Sequence, residues 1–194
     1  ELLAQPRLDP PPGVPLAVRA RDEHGLPAID VAVEYVPDGM DAAAVAGHTD
    51  GRGEARLGPA LAPGVLHVVD PRFANQAIAL DAIPGDGVAV TVTAGSELRG
   101  VAKWPDGTAA RGVVVTLRDA AGRLRPAQRA VVSGDDGSFA FAGLPERAPL
   151  VLFASASRDG RTWSGKLDRL RAGGDDCELV LRNEDPELGP GRGR

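Results

Sequence analysis

The sequence predicts an all-β protein built as two tandem seven-stranded antiparallel β-sandwiches. Three observations point there. With 25 glycines and 17 prolines in 194 residues, few windows could hold a helix of ordinary length. Short apolar runs alternate with a period of two, the spacing of a half-buried strand. The same series of landmarks also occurs twice along the chain.

The repeat is seen by setting "VRARDEHGLPAIDVAVEYV" (18–36) beside "GVAKWPDGTAARGVVVTLR" (100–118). Gly25 matches Gly107, and each leads six residues later into a β-branched run, Val31 and Val33 in one, Val113 and Val115 in the other. "HTDGRGEARLG" (48–58) then matches "SGDDGSFAFAG" (133–143), with Gly53 against Gly137, and Ala55 and Leu57 against Phe139 and Phe141. A break, a second apolar run and a final alternating strand follow in both. Strands are expected at 15–22, 30–36, 44–49, 53–58, 64–69, 76–81 and 87–93. Their counterparts are expected at 97–104, 113–118, 128–133, 138–143, 150–156, 162–167 and 176–182. Alternation places Val31, Val33 and Tyr35 on one face, and Cys177, Leu179 and Leu181 on one face. The resulting division is an extended N-terminal segment 1–13, a first sandwich 14–95, a second sandwich 96–183 and a disordered tail 184–194. The linker "TAGSELRG" (93–100) is short enough to predict a fixed or narrowly hinged pair.

Composition narrows the functional classes. Residues 1–95 carry 6 basic and 13 acidic side chains, and residues 96–194 carry 16 and 14, so neither half reads as a polybasic nucleic-acid surface. The single cysteine, Cys177, excludes an intramolecular disulfide framework and a four-cysteine zinc site. No apolar run reaches the length of a membrane-spanning helix. The opening "ELLAQPRLDPPPG" reads as part of a longer or processed protein.

"LRGVAKWPDGTAARGVVVTLRDAAG" followed by "VVSGDDGSFAFAGLP" resembles the carboxypeptidase regulatory-like domain, a prealbumin-like (transthyretin-like, Ig-like) β-sandwich. The matching positions are Gly100, Asp106, Gly107, Gly112, Val113, Val115, Leu117, Asp136, Gly137, Phe139, Phe141 and Leu144. In the first copy Val18 stands for the strand glycine, and Ala55 and Leu57 stand for the two phenylalanines. The resemblance implies a domain that accompanies other domains outside the cytoplasm, in a periplasmic, cell-surface or secreted protein.

Little in the chain has the pattern of a reaction centre, and no catalytic, metal-binding or cofactor-binding residue is assigned. His24, His48 and His67 have no partner at metal-ligand spacing. No G-x-S-x-G supplies a nucleophile elbow. Cys177 is in phase with core leucines and reads as a packed thiol. The "GDDGS" stretch (134–138) reads as a tight turn feeding a strand, because glycine accepts positive φ and aspartate bonds local amides; a calcium site would need about six oxygens. The candidate contact residues are Trp104, before a "PDG" turn, and Trp163 with neighbouring Arg161, since an exposed Trp beside Arg stacks on sugars or anchors a protein.

The sequence therefore predicts a non-catalytic structural or adhesion module of a larger bacterial surface or secreted protein. Its partners are expected to be protein or glycan at the cell envelope, with no nucleic acid and no membrane insertion in this segment. The alternatives are a carbohydrate-binding module, and an accessory domain of an attached hydrolase or transporter.

Overall fold

The computed structural model describes residues 14–40, 45–119, 130–146 and 148–183; the expected N-terminal segment 1–13 and tail 184–194 lie outside them. The described residues are all strand, turn and loop. Among the described residues fifteen strands follow in order: β1 Val14–Arg21, β2 Ala32–Pro37, β3 Val45–His48, β4 Glu54–Ala60, β5 Gly64–Val68, β6 Gln76–Leu80, β7 Val88–Thr91, β8 Ser96–Lys103, β9 Val114–Asp119, β10 Ala130–Val132, β11 Ser138–Leu144, β12 Leu150–Arg158, β13 Arg161–Leu170, β14 Cys177–Val180 and β15 Arg182–Asn183. Each lies close to an expected strand. The largest difference in length is β13, which runs on to Leu170.

The sheets repeat one plan. Orders β4-β1-β7 and β3-β2-β5-β6 come from the earlier part of the chain, and β11-β8-β14 and β10-β9-β12-β13-β15 from the later part. In both, the first strand of the copy pairs antiparallel with the fourth and parallel with the seventh. In the second copy the expected last strand is split. β14 pairs with β8, whereas β15 pairs with β13 in the other sheet. The fully buried Leu181 stands at the crossing.

The chain divides into two compact units. One comprises residues up to Leu66 with Ala79–Thr91, the other His67–Ile78 with the chain from Val92 onward. Within the second unit, the 67–78 segment is tied by backbone bonds from Gly95 N–H to Arg72 O (2.9 Å) and from Asn75 N–H to Gly143 O (2.8 Å).

Period-two burial builds each core. In the first unit Leu16, Val18 and Ala20 of β1 and Val33 and Tyr35 of β2 are buried, as is Val31 just ahead of β2. The Tyr35 hydroxyl donates to Leu61 O at 2.6 Å, so its polar tip is satisfied while the ring packs. In the second unit Leu98, Ala102, Phe139, Phe141 and Leu179 of one sheet meet Val115, Leu117, Leu150, Leu152 and Ala154 of the other in a single cluster. Side chains from the inner faces of two sheets filling one layer define a sandwich.

The two copies solve one packing problem in opposite ways. Phe139 on β11 lies opposite Gly100 on β8. A Cβ on Gly100 would come within 2.5 Å of the Phe139 ring and 2.6 Å of both Cys177 O and Sγ, well inside van der Waals contact. In the first copy the corresponding pair is Val18 opposite Ala55. The bulk has moved across the ladder from one strand to the other, so Val18 against Gly100 and Ala55 against Phe139 are two sides of one exchange.

A substitution cycle tests this exchange. Gly100→Val alone should destabilise the chain by about 1–3 kcal/mol or more through overpacking. Adding Phe139→Ala, which recreates the first copy's pair, should recover part of that loss, read as a non-additive coupling in urea denaturation. Additive losses would show that the two side chains do not share the space.

Candidate functional site

The polar residues repeated between the copies are engaged by their own backbone. The connection from β1 to β2 leaves one sheet and joins the other, and at this point the Ala28 carbonyl and the Val31 amide need partners. Thr49 supplies both: its Oγ1 donates to Ala28 O at 2.6 Å and accepts from Val31 N–H at 2.9 Å. In the second copy Ser133 Oγ donates to Ala110 O at 2.6 Å and accepts from Val113 N–H at 2.9 Å. Both hydroxyl residues are buried, Thr49 at 4% and Ser133 at 4% exposure. Sequence reasoning passed over this pair. Its only signal is a hydroxyl residue four positions ahead of a turn glycine, Gly53 in one copy and Gly137 in the other.

The turn glycines and aspartates follow. Gly53 (φ 75°) and Gly137 (φ 78°) occupy the left-handed region. A Cβ would stand 2.4 Å from Ala20 O at the first and 2.4 Å from Ala102 O at the second. In the first copy Asp50 Oδ1 accepts from Arg52 and Glu54 N–H. In the second, Gly134 takes the place of Asp50 in the backbone pattern, and Asp136 Oδ1 accepts from Ser138 N–H at 2.9 Å. The "GDDGS" carboxylate thus closes its own turn. Asp106 does the same for Thr108, accepting from its N–H at 2.9 Å and its hydroxyl at 2.6 Å. Among the described residues no three His, Cys, Asp or Glu side chains are grouped as metal ligands.

These bonds hold carboxylates in their charged form. Asp106 and Asp136 lie below the usual Asp value chiefly through the Thr108 and Ser138 side-chain hydroxyls, and Asp50 chiefly through the Glu54 amide. Burial pushes the Cys177 thiol up, leaving it less thiolate and less nucleophilic at neutral pH. Cys177 is half-buried against the second core rather than fully enclosed.

The aromatic candidates come together at one end of the second sandwich. Trp104 follows β8 and Trp163 lies in β13; their ring centroids are 5.7 Å apart with planes at 80°. Both are half-buried and pack against the core cluster. The guanidinium covering the Trp104 ring, 4.8 Å from its centroid, belongs to Arg158. Arg161 is exposed and lies opposite Arg158 across the Asp159–Gly160 hairpin turn. That turn has positive φ at both central residues, 54° and 70°, as a two-residue hairpin with type I′ twist requires. The pair of Trp rings therefore forms an edge-to-face clamp between the β8 turn and the β12–β13 hairpin, with a cation on one ring.

No protein-family model matches the sequence, and no curated protein matches it. Among solved structures the chain is similar to the shaft pilin SpaA of Lactobacillus rhamnosus GG, at 12% identity and a TM-score of 0.37, over 86% of this chain and 96% of that one. It is also similar to the TIE protein of Bacillus anthracis, at 14% identity and a TM-score of 0.33, over 87% of this chain and 33% of that one. A streptococcal ancillary pilin aligns at 16% identity and a TM-score of 0.30, over 87% and 62%. The chain thus spans about a third of the TIE protein and less than two thirds of the ancillary pilin. The fold assignment rests on strand order and core packing, not on these similarities.

The aspartate turns set an acid limit. A group with a depressed folded pKa contributes stability that is complete above the unfolded value, 3.8 for Asp, and is lost as pH falls through the folded value. Denaturation midpoints should therefore decline as pH drops from about 5 towards 2. Asp106→Asn with Asp136→Asn should flatten that decline, measured by urea titration at stepped pH. An unchanged slope would separate these carboxylates from acid stability.

Proposed function

We propose that the chain is a non-catalytic structural or adhesion module of a larger extracytoplasmic protein, a pair of prealbumin-like sandwiches that present surfaces to envelope protein or glycan. The observation that carries this reading is the use of the polar groups at the turns and sheet crossings. Thr49, Ser133, Asp50, Asp106 and Asp136 each bond the backbone that forms their own turn or crossing. Such groups set loop geometry on a rigid scaffold, and scaffolds of this kind carry recognition on exposed faces and loops.

The domain boundaries 14–95 and 96–183, and the kinship of 96–183 with carboxypeptidase regulatory-like domains, are part of the proposal. The resemblance supports a segment that travels with other domains. Trp104 and Trp163 take the role of packing residues, supported by their half-burial and edge-to-face geometry. A flat sugar platform needs coplanar rings, and the Trp104 and Trp163 planes stand at 80° to each other.

Antibody raised against residues 14–183 tests the location. It should label intact, unpermeabilised cells of the source organism, and brief protease treatment of those cells should abolish the signal. Labelling that appears only after permeabilisation would overturn the extracytoplasmic reading.

A further inference from the structure

The outer face of the five-stranded sheet in the second unit carries a group of residues that neither the core nor the turns use. Leu152 and Ala154 of β12 point into the core, so Phe153 and Ser155 face outward. Phe153 is half-buried, and its cross-strand partners are Thr116 on β9 and Lys166 on β13. The Arg118 guanidinium carbon stands 4.6 Å from the Phe153 ring centroid and Lys166 Nζ 5.6 Å. One register step away Ser155 lies opposite Ser164, which lies opposite Arg182 on β15. Glu178 and Val180, where the chain changes sheets, add a wall. Phe153, Ser155, Ser164, Lys166 and Arg182 with this wall line an open groove of about 810 Å³, and Arg118 and Thr116 lie beside it.

The charge balance of the groove is positive. Lys166 is paired with Asp168 at 3.0 Å, and Glu178 is taken by Lys103. Arg182, in the lining, has no carboxylate in ion-pair reach among the described residues. An inorganic anion would use the cations and the serine hydroxyls but not the ring. An acidic peptide added as a strand would need the outer edge of β13. That edge is taken at Trp163 and Ser164 by β15. Further along, the register shifts between Leu150 and Leu152, and Arg169 adopts φ 62°. A bulged, twisted edge of this kind resists strand addition. An acidic sugar matches all three features: an anionic group for guanidinium, hydroxyls for the serine pair, and an apolar C–H face for the phenyl ring.

We propose that this groove binds an acidic saccharide, a carboxylate- or sulfate-bearing unit of a polysaccharide, with its anionic group between Arg182 and Lys166 and its C–H face on Phe153. The proposal deepens the adhesion reading and rests on it, naming both the ligand class and the face that meets it.

Calorimetric titration of the full chain with oligogalacturonate, heparin oligosaccharide, neutral dextran, sodium sulfate and poly-glutamate tests it. Saturable binding of at least one acidic oligosaccharide is expected, with none of dextran. Phe153→Ala and Arg182→Gln should each weaken binding by about tenfold, Arg182→Gln at unchanged melting temperature and Phe153→Ala with the β-sheet circular dichroism retained at the titration temperature. Arg161→Gln, the same charge change outside the groove, should leave it intact. Absence of binding by both acidic oligosaccharides would overturn the groove, while the cell-labelling result would still decide the surface location. Equal binding of poly-glutamate or sulfate, or equal losses in Arg161→Gln and Arg182→Gln, would also overturn it by reducing the effect to net charge.

Discussion

Each sandwich depends on what happens where its chain passes from the first strand's sheet to the second's. A backbone that leaves a ladder strands its amide and carbonyl groups, and burying such groups unpaired costs about 1–3 kcal/mol each. One small side chain that both donates and accepts removes that cost, and only serine and threonine provide it at this size. Thr49 and Ser133 do so with the same partners and the same distances in the two copies. The neighbouring ladder follows suit. Ala28 N–H bonds Ala20 O at 3.0 Å and Ala110 N–H bonds Ala102 O at 2.9 Å, while Thr49 and Ser133 N–H return to Val31 O and Val113 O. With the crossing fixed, the apolar alternation of β1 and β2, and of β8 and β9, has one register in which to meet the opposing sheet.

Once that frame is set, side chains vary without changing the plan. The Val18–Ala55 pair and the Gly100–Phe139 pair fill comparable space from opposite strands. Asp30 (φ 56°) stands where the second copy has Gly112 (φ 69°), since aspartate tolerates the left-handed region better than most residues. Asp22 accepts amides from His24 and Leu26, and its counterpart is Trp104, as the shared backbone bonds show. The exposed end of the second sandwich acquired its aromatic clamp at a position that serves only a turn in the first.

Much of this was legible in the sequence. Alternation and turn residues located the strands, because burial on one face forces a period of two and tight turns demand Gly and Asp at set places. The reading of "GDDGS" as a turn agrees with Asp136 closing onto Ser138. What stayed hidden depends on contacts distant in sequence. Arg161 was singled out as the neighbour of Trp163, yet the ring contact goes to Arg158, which a hairpin turn sets opposite it. Phe153 sits in an apolar run, "LVLFASAS", where nothing local marks it as facing outward between two cations. The break at Leu181 was invisible for the same reason: "CELVLR" alternates without interruption, and only pairing with β13 divides it.

Native-state hydrogen exchange tests the central claim most directly. The Val31 and Val113 amides, each bonded by a buried hydroxyl, should be among the most protected in their own copy. Thr49→Val should accelerate exchange at Val31 and its neighbours, and Ser133→Ala should do so at Val113 and its neighbours. If both amides exchange as fast as exposed loop positions in the unsubstituted chain, the hydroxyl crossings do not hold the sandwiches together and the account fails.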